Sequence, residues 1–173
     1  MEFRLPIFLT GFMGAGKSTV GRRLAERIGC EFADTDACIE EQAGKSIPRI
    51  FAEDGEAAFR QMETAVLRTL PAKKNIIYAT GGGIVTSDIN RSLLAEAGTV
   101  VYLRADWATL ASRLADASGR PLLASAEGRA AARDLFESRI PSYETADLVV
   151  DTDNRSVEDI VELILAALKG GSP

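Results

Sequence analysis

The chain has 173 residues, 46% of them hydrophobic, which is the usual size of one domain and enough apolar material for a core. Its formal net charge of −5 excludes a basic field for nucleic acid, so an anionic ligand has to be held by local donors. With no histidine, proton transfer falls to a carboxylate, while two cysteines, Cys30 and Cys38, are too few and too close for a disulfide framework.

No apolar run reaches the roughly 18 residues a membrane span needs. At the N-terminus Ile7-Phe8-Leu9, between Pro6 and Gly11, is too short for a signal peptide. A cytoplasmic protein with neither membrane nor nucleic-acid partners is expected.

In chain order, short apolar runs alternate with longer amphipathic stretches, the pattern of a parallel sheet wrapped by helices. Strands are predicted over Pro6 to Thr10, Glu31 to Ala33, Asn75 to Ala79, Thr99 to Leu103 and Leu148 to Val150, each followed by a helix. The first helix spans Lys17 to Ile28 and stops at Gly29. The last spans Val157 to Leu168, with apolar residues at 157, 160, 161, 164, 165 and 168, and opens on the capping pattern of Ser156 with Asp159. A helical insertion from Asp36 to Leu70 is broken near Gly44, Pro48 and Gly55. Ala115 to Arg129 lacks a clean period, contains Gly119-Arg120-Pro121, and is expected to be a mobile loop over a site. No repeat or linker marks a second domain, so residues 1–173 are expected to form one unit.

Gly11 to Ser18 fits G-x-x-x-x-G-K-[ST] at every fixed position, after an apolar strand and before an amphipathic helix. In that setting the backbone N–H groups turn toward phosphates, the helix N-terminus favours negative charge, Lys17 reaches the outer phosphates, and the Ser18 hydroxyl is placed to ligate Mg²⁺. ATP with Mg²⁺ is the implied ligand. The usual companion aspartate does not close either candidate strand, since Asn75 to Ala79 ends in Thr80 and Thr99 to Leu103 ends in Arg104.

Two other strands end in acids: Asp34-Thr35-Asp36 and Asp151-Thr152-Asp153. Residues two apart in an extended segment point the same way, so each pair is able to present two carboxylates to one site. Asp34 follows directly on the phosphate-loop helix, where the next strand end lies beside the first. Asp34 is therefore assigned to Mg²⁺ and Asp36 to the acceptor hydroxyl as base, whereas residues 151 to 153 are expected to form a turn and enter the final helix.

Other signals are weaker. Gly81-Gly82-Gly83 follows a strand and leaves backbone open to a ligand, or makes a tight turn. Arg60 and Glu63, three apart on one helix, read on their own as an exposed ion pair. Arg113, Arg120 and Arg139 bracket the loop-like segment; each by itself reads as a surface arginine, and together they suit a closing lid. Between Lys74 and Lys169 every basic residue is Arg, which reflects composition bias or a need for a rigid fork for phosphate and carboxylate. Phe51, Trp107 and Phe136 read as packing residues.

Taken in one order, Gly11 to Ser18, Asp34-Thr35-Asp36, Phe59-Arg60 with Glu63, Thr80-Gly81-Gly82-Gly83, Arg120-Pro121-Leu122-Leu123 and Arg139 before Tyr143 closely resemble the shikimate kinases over nearly the whole chain. The resemblance implies an α/β, three-layer P-loop kinase fold, with a five-stranded parallel sheet in the order 2-3-1-4-5. It also implies a substrate-binding insertion at 36–70, a lid at 115–129, and ATP-dependent phosphorylation of shikimate. By position, Asp36, Arg60, Gly82, Gly83 and Arg139 would hold shikimate, with both arginines on its carboxylate. Gly14, Ala15, Gly16, Lys17, Ser18 and Thr19 would hold the nucleotide, Arg120 would reach its phosphates from the lid, Arg113 would lie against adenine, and Arg155 is a further candidate contact. Lys17, Asp36 and Arg120 would be catalytic, and Ser18 and Asp34 would hold Mg²⁺. A monomer acting on a small molecule is implied. A gluconate kinase or another small-molecule P-loop kinase is the nearest rival; a nucleotide-dependent regulatory module is the alternative outside enzymes.

Overall fold

The apolar runs become strands, and the inner ones are covered on both faces. Residues 7–10, IFLT, and 76–79, IIYA, are buried throughout, as parallel strands between helix layers require. The computed structural model describes residues 6–70, 75–116 and 125–170. Five parallel strands run β1 Ile7–Thr10, β2 Glu31–Asp34, β3 Ile76–Ala79, β4 Thr99–Arg104 and β5 Leu148–Asp151, in the order β2-β3-β1-β4-β5. Central β1 pairs with β3 through Ile7↔Ile77 and with β4 through Ile7↔Thr99. The chain leaves β1 toward one edge and later crosses to the other, so ligands are expected at the carboxyl ends beside β1, where strand order switches.

Helices α1 Lys17–Ile28, α5 Asp88–Ala97, α6 Trp107–Asp116, α7 Ala126–Tyr143 and α8 Val157–Gly170 flank the sheet, with a 3₁₀ turn at Ile84–Thr86. The insertion is α2 Thr35–Ala43, α3 Ile47–Glu53 and α4 Gly55–Thr69. Leu9, Leu24, Ile77, Val101 and Ile164 are fully buried in one core, each side chain contributing about 1.5–3 kcal/mol.

Several boundaries differ from expectation for local reasons. Strand β2 runs on to Asp34 because the Asp34 carboxylate caps α2, accepting the Asp36 N–H at 3.0 Å. Asp36 therefore lies in the first turn of a helix, not two residues along a strand. Gly44 and Gly55 break the insertion as expected, both at positive φ, 66° and 82°. Pro48 does not, because it occupies the first turn of α3, where a missing N–H costs nothing. At the final helix, Ser156 and Asp159 form the expected capping pair, with Asp159 N–H bonded to Ser156 Oγ at 3.1 Å. Residues 151 to 153 end β5 and, as expected, lead into a turn at 153–154, but they stop short of the helix itself. Asp151 pairs with Arg104 of β4, and Asp153 accepts the Asp106 N–H at 3.0 Å.

The expected loop at 115–129 is narrower. Helix α6 extends to Asp116, and α7 begins at Ala126 because Ser125 caps it, its hydroxyl accepting the Gly128 N–H at 3.0 Å. The remainder, including Arg120, lies outside the described residues. Among the described residues no helix is long and apolar enough to cross a membrane.

Gly98 joins α5 to β4. A side chain there would run into the Pro6 carbonyl oxygen, which is already fixed by accepting the Thr99 N–H at 3.0 Å. Gly98→Ala is expected to destabilise the fold by about 1–3 kcal/mol, read as a lower urea midpoint; an unchanged midpoint contradicts this packing.

Candidate active site

The loop from Gly11 to Gly16 connects β1 to α1, so its backbone lies at the carboxyl end of the central strand. Helix α1 has no side-chain cap at Gly16 and no acid in its first turn, which leaves its first N–H groups and its dipole for an anion. Lys17 bends back onto the loop, its Nζ donating to Gly11 O at 2.7 Å and Phe12 O at 3.0 Å. Ser18 Oγ donates to Asp34 Oδ2 at 2.9 Å. The hydroxyl and carboxylate expected to hold a cation are therefore neighbours, and as hard oxygen donors they suit Mg²⁺. No group of three or more acidic, cysteine or histidine side chains able to hold a metal occurs among the described residues. An ion here would need phosphate and water oxygens to complete its octahedron.

A cleft of about 860 Å³ runs from Gly14–Thr19 past Asp34 and Asp36 to Gly82, with Arg113 and Arg155 among its lining. Arg113 spans the gap between phosphate loop and β5, donating to Gly14 O at 3.4 Å and Thr152 O at 3.3 Å.

Beyond the cleft the side chains of the insertion and of α7 converge on the glycine triplet, one glycine at a time. A Cβ on Gly81 would sit 2.6 Å from Asp36 Oδ1 and 3.2 Å from Glu63 Oε1. Gly82 O accepts from the Tyr143 hydroxyl and from Arg139 at 3.4 Å. A Cβ on Gly83 would sit 2.5 Å from the Arg60 guanidinium. At Gly81 and Gly83 only backbone without a side chain allows this approach. Thr35, fully buried between the two aspartates, accepts the Gly81 N–H at 3.0 Å and so fixes the triplet against α2.

Asp36 Oδ1 and Glu63 Oε1 are buried with no hydrogen-bond partner. Orphaned acceptors of this kind mark a place where a donor binds. Burial and then the neighbouring Asp34 charge push the Asp36 carboxyl above its usual range. Burial likewise raises Glu63, against the opposing pull of Arg60. Desolvation takes the Tyr143 phenol up to about 12, so it remains a donor.

The Arg60–Glu63 ion pair expected on sequence is present at 2.7 Å, but it is not exposed, since Glu63 is 1% accessible. Arg60 also holds Glu56 at 2.9 Å, an acid 67% exposed. A solvated pair of that kind is worth about 0–1 kcal/mol, so an incoming carboxylate can replace Glu56 at little cost. Arg139 lies over the Phe12 ring, 6.0 Å from its centroid. Phe12, Trp107 and Phe136 pack together, and Phe51, though 40% exposed, packs on Phe59.

Most described candidate residues thus fall into two clusters, a phosphate cluster at 14–19 with Asp34, and an acceptor cluster at 81–83 with Asp36, Arg60 and Arg139, while Arg113 and Arg155 line the cleft outside both. Sequence reasoning gave no role to Glu63, Thr35 or Tyr143. Glu63 carried a usable signal, an acid on the helix face that also presents Phe59, Val66 and Leu67 to the core.

A family model described as shikimate kinase matches residues 13–169. A shikimate kinase of Bordetella pertussis is 46% identical over 166 residues, covering 95% of this chain and 79% of that protein. The structure of the shikimate kinase from Acinetobacter baumannii in complex with shikimate superposes with a TM-score of 0.86 at 41% identity, covering 94% of this chain and 92% of that one. A gluconokinase from Sinorhizobium meliloti, at 21% identity and a TM-score of 0.64, shares the fold alone.

Because the fold disfavours the charged form of Asp36, ionisation of that carboxyl costs stability at neutral pH. The cost is fully present above the raised folded-state pKa and vanishes below the ordinary carboxylate value. Asp36→Asn is therefore expected to raise the ligand-free melting temperature at pH 7.5 and to leave it unchanged near pH 3. A lower melting temperature at pH 7.5 would show that the charge is well compensated.

Proposed function

The chain belongs to the shikimate kinase family, and we propose that it performs the family's reaction with the two residue clusters on either side of its cleft. It is a kinase that transfers the terminal phosphoryl group of ATP to a hydroxyl of shikimate, giving shikimate 3-phosphate and ADP in the pathway to chorismate and the aromatic amino acids. The observation that carries the residue assignment is the pair of orphaned carboxyl oxygens, Asp36 Oδ1 and Glu63 Oε1, set beside an arginine fork at a side-chain-free backbone. A hydroxylated carboxylate supplies what that arrangement lacks, hydroxyl donors for the acids and an anion for the arginines.

In this reading Arg60 and Arg139 hold the shikimate carboxylate, Gly82 and Gly83 lie against the ring, and Asp36 accepts a hydrogen bond from the reacting hydroxyl. Its raised pKa brings it nearer the operating pH, where a general base works best. As the hydroxyl oxygen bonds to the terminal phosphorus, its proton passes to Asp36, the bond to the β-phosphate oxygen breaks, and ADP leaves. Lys17 exchanges its loop carbonyls for phosphate oxygens, and Arg120 adds charge from the lid between α6 and α7, so the three equatorial oxygens are met by cations. Gly14, Ala15, Gly16, Ser18 and Thr19 cradle the nucleotide, with Arg113 and Arg155 on the adenosine side. Ser18 and Asp34 would hold Mg²⁺, which would neutralise the charge that develops on the phosphates.

The net negative charge supports the absence of a nucleic-acid partner, and a monomer acting on a small molecule completes the reading. Use of ATP as donor supports a cytoplasmic setting. The arginine pair calls for a carboxylate on the acceptor without selecting a ring; the family match over residues 13–169 favours shikimate over gluconate, since the gluconokinase shares only the fold.

ADP release measured with shikimate, gluconate and nucleoside monophosphates in parallel is expected to depend on shikimate; turnover with another acceptor but not with shikimate overturns the reading. Asp36→Asn is expected to lower kcat by about 10²–10⁴ with ATP binding retained, and loss of ATP binding instead would place Asp36 in the phosphate cluster. Arg60→Ala and Arg139→Ala are each expected to raise the shikimate KM more than the ATP KM. The acid limb of kcat/KM for shikimate is expected to lie above the ordinary carboxylate pKa of about 4, because protonation removes the base; a limb at or below that value argues against Asp36.

A further inference from the structure

Asn90 is a polar side chain with only 1% of its surface exposed that takes no part in the reaction above. It stands in the first turn of α5, after the Ser87 cap, and its amide bridges two walls of the acceptor pocket. Nδ2 donates to Ile84 O at 3.0 Å, and Oδ1 accepts from the Thr64 hydroxyl at 2.7 Å. The orientation of the amide follows from chemistry. A backbone carbonyl only accepts, so the nitrogen faces Ile84 and the oxygen is left to Thr64. Thr64 has one proton and a second acceptor, Arg60 O, at 3.1 Å; the closer Asn90 oxygen takes the proton.

The two groups so joined are not incidental. Ile84 follows Gly83, whose Cα lies against the Arg60 guanidinium. Thr64 is next to Glu63 and one helical turn beyond Arg60. We infer that Asn90 is a positioning residue for the acceptor carboxylate, holding α4 at the distance from the glycine triplet that keeps Arg60 fitted against Gly83. A Cβ at Gly83 would stand 2.5 Å from Arg60 Nη1 and 2.8 Å from Nη2, so the guanidinium is packed directly against the triplet and drift between α4 and the triplet displaces it. Binding constellations tolerate displacements of only about 0.5 Å. The bond to Ile84 O is buried and the bond to Thr64 half-buried, so solvent access to the groups left unpaired is restricted when the bridge is lost.

This inference rests on the assignment of Arg60 to the shikimate carboxylate, and the test separates the two. The variants are Asn90→Ala, Thr64→Val, Thr64→Ser and Arg60→Ala, with Asn90→Ala also made in the Arg60→Ala background. Steady-state kinetics are measured against shikimate and against ATP, and melting temperature is measured for each. Asn90→Ala and Thr64→Val are expected to raise the shikimate KM by about tenfold while the ATP KM changes by less than about twofold. Thr64→Ser, which keeps the hydroxyl, is expected to restore it. In the Arg60→Ala background Asn90→Ala is expected to add less than about twofold, since its effect passes through Arg60. If Arg60→Ala raises the shikimate KM but neither Asn90→Ala nor Thr64→Val does, the inference fails and the assignment of Arg60 stands. If Arg60→Ala itself leaves the shikimate KM unchanged, the assignment fails and the inference with it. A lower melting temperature with unchanged KM values, or full additivity in the double variant, identifies Asn90 as a structural residue only and overturns the proposal. Should Asn90→Ala fail to fold, Thr64→Val breaks the same bridge from its other end.

Discussion

The acceptor half of the site depends on one steric constraint, three consecutive residues without side chains at the end of β3. Asp36 and Glu63 crowd Gly81, Arg60 lies against Gly83, and Gly82 O receives Tyr143 and Arg139. A single methyl group at Gly81 or Gly83 would stand within 2.6 Å of a charged atom, a separation that real Cβ contacts do not reach. The triplet is held from behind through Thr35 to Gly81 N and through Asn90 to Ile84 O. Helix α2 and helix α5 thus fix opposite ends of a strip of backbone against which the insertion and α7 present their charges.

The electrostatic balance at that strip is set against the unliganded fold. Two acids with raised pKa values share the region with two arginines, and each acid keeps one oxygen without a partner. Buried polar groups that are only partly satisfied cost stability. The same incompleteness lets a hydroxylated anion gain hydrogen bonds that it would otherwise make with water. The cost is confined to a few residues because the sheet beneath is apolar on both faces.

The phosphate half is joined to the acceptor half by aromatic packing as well as by the shared cleft. Phe12, inside the phosphate loop, touches Phe136 of α7 with ring centroids 5.3 Å apart and Trp107 of α6 at 6.5 Å. Arg139 follows Phe136 by one turn and lies over Phe12. Arg139 and the phosphate loop therefore rest on one aromatic cluster.

Much of this was legible in the chain itself. Strong local patterns determined the phosphate loop, the start and stop of α1, the five apolar strands and the Ser156–Asp159 cap, because each depends on residues within a few positions of one another. The resemblance of motif order extended that reading to strand order and to Asp36, Arg60 and Arg139. Tertiary structure settled the burial of Glu63, which pairs with a neighbour three residues away and reads as a surface ion pair unless its place on the apolar face of α4 is weighed. It also decided the place of Asp36, since the Asp34 cap turns the chain into α2 one residue earlier than alternation predicts. The Thr64–Asn90–Ile84 bridge joins residues up to 26 positions apart. No periodicity or short motif encodes such a contact, because it exists only once two helices and a loop have been brought together.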